Sequence, residues 1–409
     1  MQTIDNQQQP MRILVLCNKM PYPSNDGGTI ATLNMIMGLA AQGNTVDVLA
    51  MQTHKHNFPI EKLSAELKQN INWHSVWIDT EISIARLLKN LFFSRLPYNA
   101  ERFVSKEYDT KLKELLQNNY DIVQLEGLYL TNYISTIRKY SKSTISLRAH
   151  NVERLIWERM AETETNPLRK LYKQILGRRI GRLERLTLCK IDILVPITKT
   201  DAAQLPFKPN RTYVAPTGIE PQKFVAYKAP LIGKSVFYIG ALDWEPNQEA
   251  VLWFISNVWI GVQEQHPDWA FHIAGRNAPD SFVRELAKYP VVFDGQVPSA
   301  QEFIEQHNIM VVPLLSGSGM RIKIIEAMAH SRCVVTTPVG AEGIDAENGR
   351  QILIGANPAE MKALILKVIS DADYTMKIAN EAFAFTNDNF NNRLIISGLN
   401  NFYKQWLQR

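Results

Sequence analysis

The sequence predicts an α/β protein built from two doubly wound domains. Three observations carry that expectation. Short apolar runs ending in turn residues alternate with helical stretches, the pattern of buried parallel strands joined by helices. The alternation stops at Pro216-Thr217-Gly218 and then restarts. The charge also changes there: residues 1–218 carry 29 Lys/Arg against 20 Asp/Glu, and residues 219–409 carry 16 against 20. A chain of 409 residues has the length for two or three domains. With 45% apolar and 21% charged residues, each can bury an ordinary core. Cys17, Cys189 and Cys333 are too few for a disulfide scaffold and too scattered for a Cys-rich metal cluster.

The first strand is Arg12–Cys17, followed by a loop to Gly28, a helix to about Ala41 and a strand at Thr45–Leu49. Further strands read at Asp121–Leu125, Thr144–Leu147 and Asp192–Pro196. Past Gly218 they read at Ser235–Ile239, Ala270–Ala274, Val291–Phe293, Ile309–Pro313 and Cys333–Thr336. The turn-rich segment Pro216–Pro230 is the expected hinge. Residues 391–409 form an amphipathic helix with Leu394, Ile395, Leu399, Phe402, Tyr403 and Leu407 as its apolar stripe. Domains are therefore expected at 11–217 and 218–390, with residues 1–10 as a disordered polar leader. Ligands of open α/β sheets bind at the carboxyl ends of the strands, so the informative residues should follow strands.

The leader has neither a basic n-region nor an apolar h-region, and no apolar run reaches the ~18 residues of a spanning helix. The longest candidate, Ile82–Leu96, is broken by Arg86, Lys89 and Arg95. A cytoplasmic protein with reduced thiols is expected.

The richest stretch runs from Pro313 through Ser316, Gly317, Ser318, Gly319, Met320, Arg321, Lys323 and Glu326 to His330. A strand gives way to a glycine loop and a helix opening near Gly319. Glycines let backbone N–H groups turn toward a ligand, and a helix start adds free donors and partial positive charge. Arg321 and Lys323 in a first turn oppose the macrodipole, by about 0.3–1 kcal/mol each. That choice makes sense opposite a multivalent anion such as a diphosphate; for either cation alone, a solvated surface position is an equal reading. Glu326 can accept two hydroxyl hydrogen bonds, as from a ribose, or form a salt bridge.

This stretch resembles the signature of the retaining group 1 glycosyltransferases of the GT-B fold. The match is carried by Gly319–Ala329 and by Cys333–Thr337, Gly340, Glu342 and Gly343. Pro216-Thr-Gly-Ile219 is similar to the family's interdomain Pro-Asn-Gly-Val, and the variant Gly-x-Gly-x-Arg-x-Lys-Ile-x-Glu-Ala resembles sugar transferases of bacterial surface and exopolysaccharide assembly. The resemblance implies two Rossmann-like domains facing across a cleft. Their ligands would be an acceptor on the first domain and a nucleotide sugar on the second, with the terminal helix crossing back to the first. The reaction implied is sugar transfer from a nucleoside diphosphate sugar to a glycan or lipid-diphosphate-linked acceptor.

The family's second donor-site glutamate falls on Glu326, and its first falls on Ser318, which has no carboxylate. The Arg and Lys that relatives carry after the first strand of the second domain are missing from Gly240–Asn247, so Arg321 and Lys323 read as their replacement. His150, after the strand Thr144–Leu147, matches a histidine that contacts the donor sugar; a structural role is the alternative. Gly27 and Gly28 permit close backbone approach to the donor, or else a tight turn needing positive φ. The resemblance implies further donor contacts at Gly240, Arg276 and Val297, and at Gly317, Ser318, Gly319 and Met320. No cofactor is expected beyond the nucleotide sugar.

Asp371-Ala372-Asp373 has the form of a metal-binding Asp-x-Asp but lies between helices, where an N-cap is the expected role, so no metal is expected. There is no Walker loop and no Gly-x-Gly-x-x-Gly after the first strand, against a P-loop NTPase or a dinucleotide dehydrogenase. The stretch Arg169–Lys190 holds eight basic residues and one acidic. A solvated face, or pairing with Glu158 and Glu162, is the plain reading, and without interleaved aromatics it does not suggest nucleic acid. Together with the apolar and basic residues around 86–95, it suits the anionic inner face of a membrane. An epimerase or hydrolase of the same fold is the competing enzyme class, and a two-domain sugar-binding protein the competing non-enzyme.

Overall fold

The computed structural model describes residues 9–24, 26–220, 233–317 and 319–409. Unit 1 comprises residues up to Thr217 together with Asn392–Arg409, and unit 2 is Gly218–Asn391. The leader up to residue 8 and residues 221–230 of the expected hinge lie outside the described residues.

In unit 1, strands β1 (Arg12–Cys17), β2 (Thr45–Gln52), β3 (Ile71–Trp77), β4 (Ile122–Glu126), β5 (Thr144–Ala149) and β6 (Ile193–Pro196) form one parallel sheet. Its order is β3-β2-β1-β4-β5-β6. In unit 2, β7 (Ser235–Ile239), β8 (Ala270–Ala274), β9 (Val292–Gly295), β10 (Ile309–Val312), β11 (Cys333–Thr336) and β12 (Leu353–Ile354) form a second parallel sheet, ordered β12-β11-β10-β7-β8-β9. Counted within its own unit, each sheet has the Rossmann order, with the switch point between β1 and β4 or between β7 and β10. All ten predicted strands are present, with ends shifted by at most three residues. The sequence reading missed β3, an edge strand of mixed polarity (Ile-Asn-Trp-His-Ser-Val-Trp), and the two-residue β12.

Strand alternation builds a core on each face. Leu14 and Leu16 of β1 join one cluster with Leu49, Val123 and Leu147, while Ile13 and Val15 join another with Val46, Ile36 and Leu39. In unit 2, Val236 and Tyr238 face one cluster and Phe237 and Ile239 the other. The terminal helix Asn392–Leu407 packs into unit 1, with Ile396, Leu399 and Tyr403 buried in its second cluster. The expected apolar stripe is corrected accordingly. Leu394 and Leu407 are exposed, because the contact face follows the i, i+3, i+7 spacing of 396, 399 and 403.

Candidate active site

In unit 2 the expected donor residues lie at the carboxyl ends of four neighbouring strands. After β10 the chain turns through Gly317 (φ 121°) and Gly319 (φ 81°), conformations that side-chain-bearing residues avoid. Ser318, between them, lies outside the described residues. The helix is Ile322–Ala329, opening later than the expected Gly319. Two successive positive-φ glycines delay helical geometry until Arg321, which becomes the N-cap, so only Lys323 sits in the first turn. Arg321 donates to the Gly319 carbonyl, and a Cβ at position 317 would lie 2.9 Å from its Nη2. Gly317 therefore makes room for the guanidinium. The signature that continues into β11 braces this loop, with Thr336 and Thr337 donating to the carbonyls of Val312 and Leu314.

Lys323 Nζ donates to Tyr238 Oη at 2.8 Å and lies 3.5 Å from Asn247 Oδ1. A Cβ at Gly240 would stand 2.6 Å from the same Nζ. Burial, and then the charge of Arg321, push Lys323 down to about 7. Burial pushes Glu326 up to about 7, with Lys323 opposing it. The Glu326 carboxylate makes no hydrogen bond or ion pair among the described residues, so the salt-bridge alternative is not realised there. Tyr238 and Asn247 escaped the sequence reading. A tyrosine inside an apolar strand looks like core, and an asparagine at a helix start looks like a cap.

The loops after β7, β8 and β9 are knitted by backbone bonds, Gly240 N to Ala274 O (3.1 Å), Leu242 N to Arg276 O (2.9 Å) and Gly275 N to Gly295 O (2.7 Å). Gly240, Arg276 and Val297 thus sit on three adjacent loops, with Val297 and Met320 packed against the core. Asp371 caps the helix Ala372–Asn389 by accepting from Tyr374 N at 2.8 Å.

In unit 1, His150 follows β5 directly. Its Nε2 lies 2.8 Å from Oε2 of Glu126, the last residue of β4. Burial alone would raise the Glu126 carboxyl, but Arg148 (3.3 Å), His150 and Gln124 outweigh it and hold it below the ordinary carboxylate value. Glu126 was not singled out from sequence, because a glutamate ending an apolar run reads as the start of a loop. Gly27 and Gly28 open the helix Gly27–Ala41 behind the N-cap Asp26, and neither has positive φ. The tight-turn alternative is therefore corrected. A Cβ at Gly28 would stand 3.0 Å from Lys19 Nζ, so close approach of that side chain is the local reason for glycine.

The basic stretch lies on the helix Pro167–Leu188. Its expected partners are corrected: Glu158 pairs with Arg154 (2.7 Å), Lys173 pairs with Glu164 (2.7 Å), and Arg179 donates to the carbonyls of Asn90 (3.2 Å) and Leu91 (2.7 Å). Among the described residues one group has metal-like spacing, His54, Asp79 and Glu81 on the surface of unit 1, where Asp79 already binds Arg86 at 3.0 Å. No helix among the described residues is long and apolar enough to cross a membrane.

Residues 233–371 match the family model of the glycosyl transferases group 1, which places the Gly240, Arg276, Val297 and Gly317–Glu326 loops inside the family pattern. An uncharacterized protein of the cps region of Klebsiella pneumoniae is 24% identical over 401 residues, covering 95% of this chain and 98% of that protein. The sucrose-phosphate synthase of Thermosynechococcus elongatus superposes with a TM-score of 0.71 at 16% identity, over 97% of this chain and 99% of the other. Anabaena HepE, solved in complex with UDP-glucose, gives a TM-score of 0.66 at 13% identity, over 96% and 98%. Residues 233–371 thus carry the glycosyl transferases group 1 pattern, and the chain has the fold of these structures, with two Rossmann-like α/β domains.

Proposed function

We propose that the protein moves a sugar, with retention of configuration, from a nucleoside diphosphate sugar to a glycan or lipid-diphosphate-linked glycan in cell-surface polysaccharide assembly. The observation that carries this reading is the pairing of Arg321 and Lys323 at the glycine loop beside the switch point of unit 2. Two neighbouring cations, one of them pushed down to about 7 by burial and by the charge of the other, favour a multivalent anion beside them. A diphosphate supplies it; at an effective dielectric of ~20, each cation–phosphate contact of about 4 Å contributes about 4 kcal/mol. Glu326 would take the ribose hydroxyls, and Gly240, Arg276, Val297 and Met320 would border the nucleotide. By the family resemblance, Gly27, Gly28 and His150 would be further donor contacts.

The same cations stabilise charge developing on the leaving diphosphate as the bond from the anomeric carbon to its oxygen breaks. With no carboxylate at Ser318, a departing phosphate oxygen takes the acceptor hydroxyl proton while the new glycosidic bond forms on the same face. No metal is required in this scheme. HepE, with its bound UDP-glucose, and the cps-region relative support the donor class and the pathway, respectively.

The acceptor side would work at an anionic membrane surface on the cytoplasmic face. On the helix Ile84–Phe93, Ile84, Leu88, Phe92 and Phe93 are exposed beside Lys89, with Arg95 just beyond its end. That combination is the signature of a helix lying in a membrane interface.

Calorimetric titration with nucleoside diphosphates tests the donor site, with Arg321→Ala as the control; equal affinity in both proteins overturns it. A donor-only assay separates transfer from the epimerase or hydrolase alternative, since only those turn over without acceptor.

A further inference from the structure

In unit 1 a line of hydrogen bonds joins the terminal helix to His150. Tyr403 Oη donates to Gln124 Oε1 at 2.7 Å and lies 2.7 Å from Ser146 Oγ. A phenol has a single proton, so with that proton on Gln124 the serine is the donor of the second bond. Gln124 Nε2 donates to Glu126 Oε1, and Glu126 Oε2 meets His150 Nε2 at 2.8 Å. Tyr403, Gln124 and Ser146 are fully buried and Glu126 is 3% exposed, so water does not substitute for any of these bonds.

The direction of the line matters. A primary amide presents an acceptor at one end and donors at the other. Because Tyr403 holds the carbonyl end of Gln124, the NH2 end must face Glu126. Without the phenol proton the amide is free to turn over, which sets a carbonyl oxygen against a buried carboxylate. Such a contact is relieved only if the carboxylate takes a proton or moves, and either change alters its bond to the imidazole.

We propose that Tyr403 is a positioning residue for His150, acting from the terminal helix through Gln124 and Glu126. As a contribution to catalysis, this rests on the reading that His150 works at the reacting centre. The other groups facing the pair are Arg148 of β5, Thr32 of the helix Gly27–Ala41 (3.2 Å from Glu126), Cys17 of β1 and Glu153 of the helix Glu153–Glu162. The Arg148 contact reaches Glu126 directly and not through Gln124, so losing the phenol proton weakens the hold on Glu126 without abolishing it.

Tyr403→Phe keeps the ring and its packing and removes the hydroxyl, both the proton given to Gln124 and the oxygen that accepts from Ser146. The full-length variant is read by ring 15N NMR of His150, assigned by difference from His150→Gln. The expected result is an altered Nε2–H signal, an acidic limb of kcat moved to higher pH, and a fall in kcat of about tenfold, the fold-change of one net hydrogen bond, with donor KM unchanged. Asn400→Ala is the control, since Asn400 lies on the same helix as Tyr403 and the substitution removes the 2.8 Å bond it accepts from Asn44 Nδ2 while leaving the line intact. It should lower Tm and leave the His150 signal alone. An unchanged His150 signal in Tyr403→Phe, or an equal change in Asn400→Ala, overturns the proposal. A changed signal with unchanged kcat supports the coupling and overturns the catalytic role of His150 instead.

Discussion

Lys323 Nζ reaches Tyr238 Oη at 2.8 Å by passing through the space that a side chain at position 240 would fill. The lysine enters from the helix after β10 and the tyrosine belongs to β7, so Gly240 is what lets two neighbouring strands share one cation. Gly240→Ala would put a methyl group 2.6 Å from Nζ and 2.9 Å from Oη. The flexible end of the lysine can move aside, so Tm should change little. Diphosphate affinity should fall on the order of tenfold, the effect of one displaced charge-assisted hydrogen bond. Calorimetry checks this, and wild-type affinity would mean that Nζ has no fixed place in binding.

Binding of the diphosphate should depend on pH from both sides. Free Lys323 is pushed down to about 7, and a bound anion raises it. Below that pH the lysine is charged in both states and affinity is flat for this group. Above it the free protein has lost a proton that the complex keeps, so affinity falls as pH rises. Glu326, raised by burial to about 7, acts in the opposite sense, because hydroxyl donors prefer the carboxylate that is lost below that pH. For a nucleoside diphosphate, affinity should peak near neutrality, with proton uptake on the alkaline side. Titrations in buffers of different ionisation enthalpy measure that uptake. Glu326→Gln should erase the acid limb and keep the alkaline one.

The same lysine should cost stability. Its folded-state pKa is depressed, so the penalty is fully present below about 7 and fades as pH rises toward the ordinary lysine value of 10.5. Lys323→Met keeps the stem and removes the charge. Its Tm should exceed wild type by several degrees at pH 6, with the gap closing toward pH 10, while diphosphate affinity is lost. A Tm gap independent of pH would show that charge is not the source.

The glycine loop was legible because its residues obey backbone chemistry: Gly317 and Gly319 occupy φ values that side chains avoid, and Arg321 and Lys323 stand where cations are unfavourable without an anion. Partners supplied from elsewhere in the fold were not legible. Tyr238 lies 85 residues from Lys323, and Gln124 lies 279 from Tyr403. In sequence each is an ordinary core or strand residue, because a strand's local pattern records burial and not which polar atom meets it across the sheet. The helix start was misplaced for a related reason. Periodicity marks where a helix is amphipathic, whereas the two positive-φ glycines decide where it begins.

His150 should matter to turnover far more than to folding. It is half-buried on Glu126, whose remaining bonds to Arg148, Gln124 and Thr32 survive its removal. His150→Ala should therefore lower kcat on the order of 10²-fold, the usual effect of losing one polar group aimed at a transition state, with Tm nearly unchanged. A variant with wild-type kcat removes the histidine from the site, and one with collapsed Tm makes it structural.

The exposed face of the helix Ile84–Phe93 gives the membrane reading a direct test. Phe92 and Phe93 are 73% and 85% exposed, an unusual position for two aromatic rings on a helix anchored underneath by the buried Asn90. Arg179 fixes the carboxyl end of that helix through the Asn90 and Leu91 carbonyls, so the face is held in place rather than frayed. Apolar insertion and attraction to anionic lipid, about 1 kcal/mol for each nearby Lys or Arg, should act together. Vesicles containing anionic lipid should therefore bind the protein more tightly than neutral ones, and the difference should shrink at high salt. Phe92→Ser with Phe93→Ser should weaken binding to both kinds of vesicle, whereas Lys89→Gln should weaken only the anionic preference. Equal binding of the unaltered protein to neutral and anionic vesicles removes the electrostatic part of this reading. Unchanged binding by the double variant removes the insertion itself.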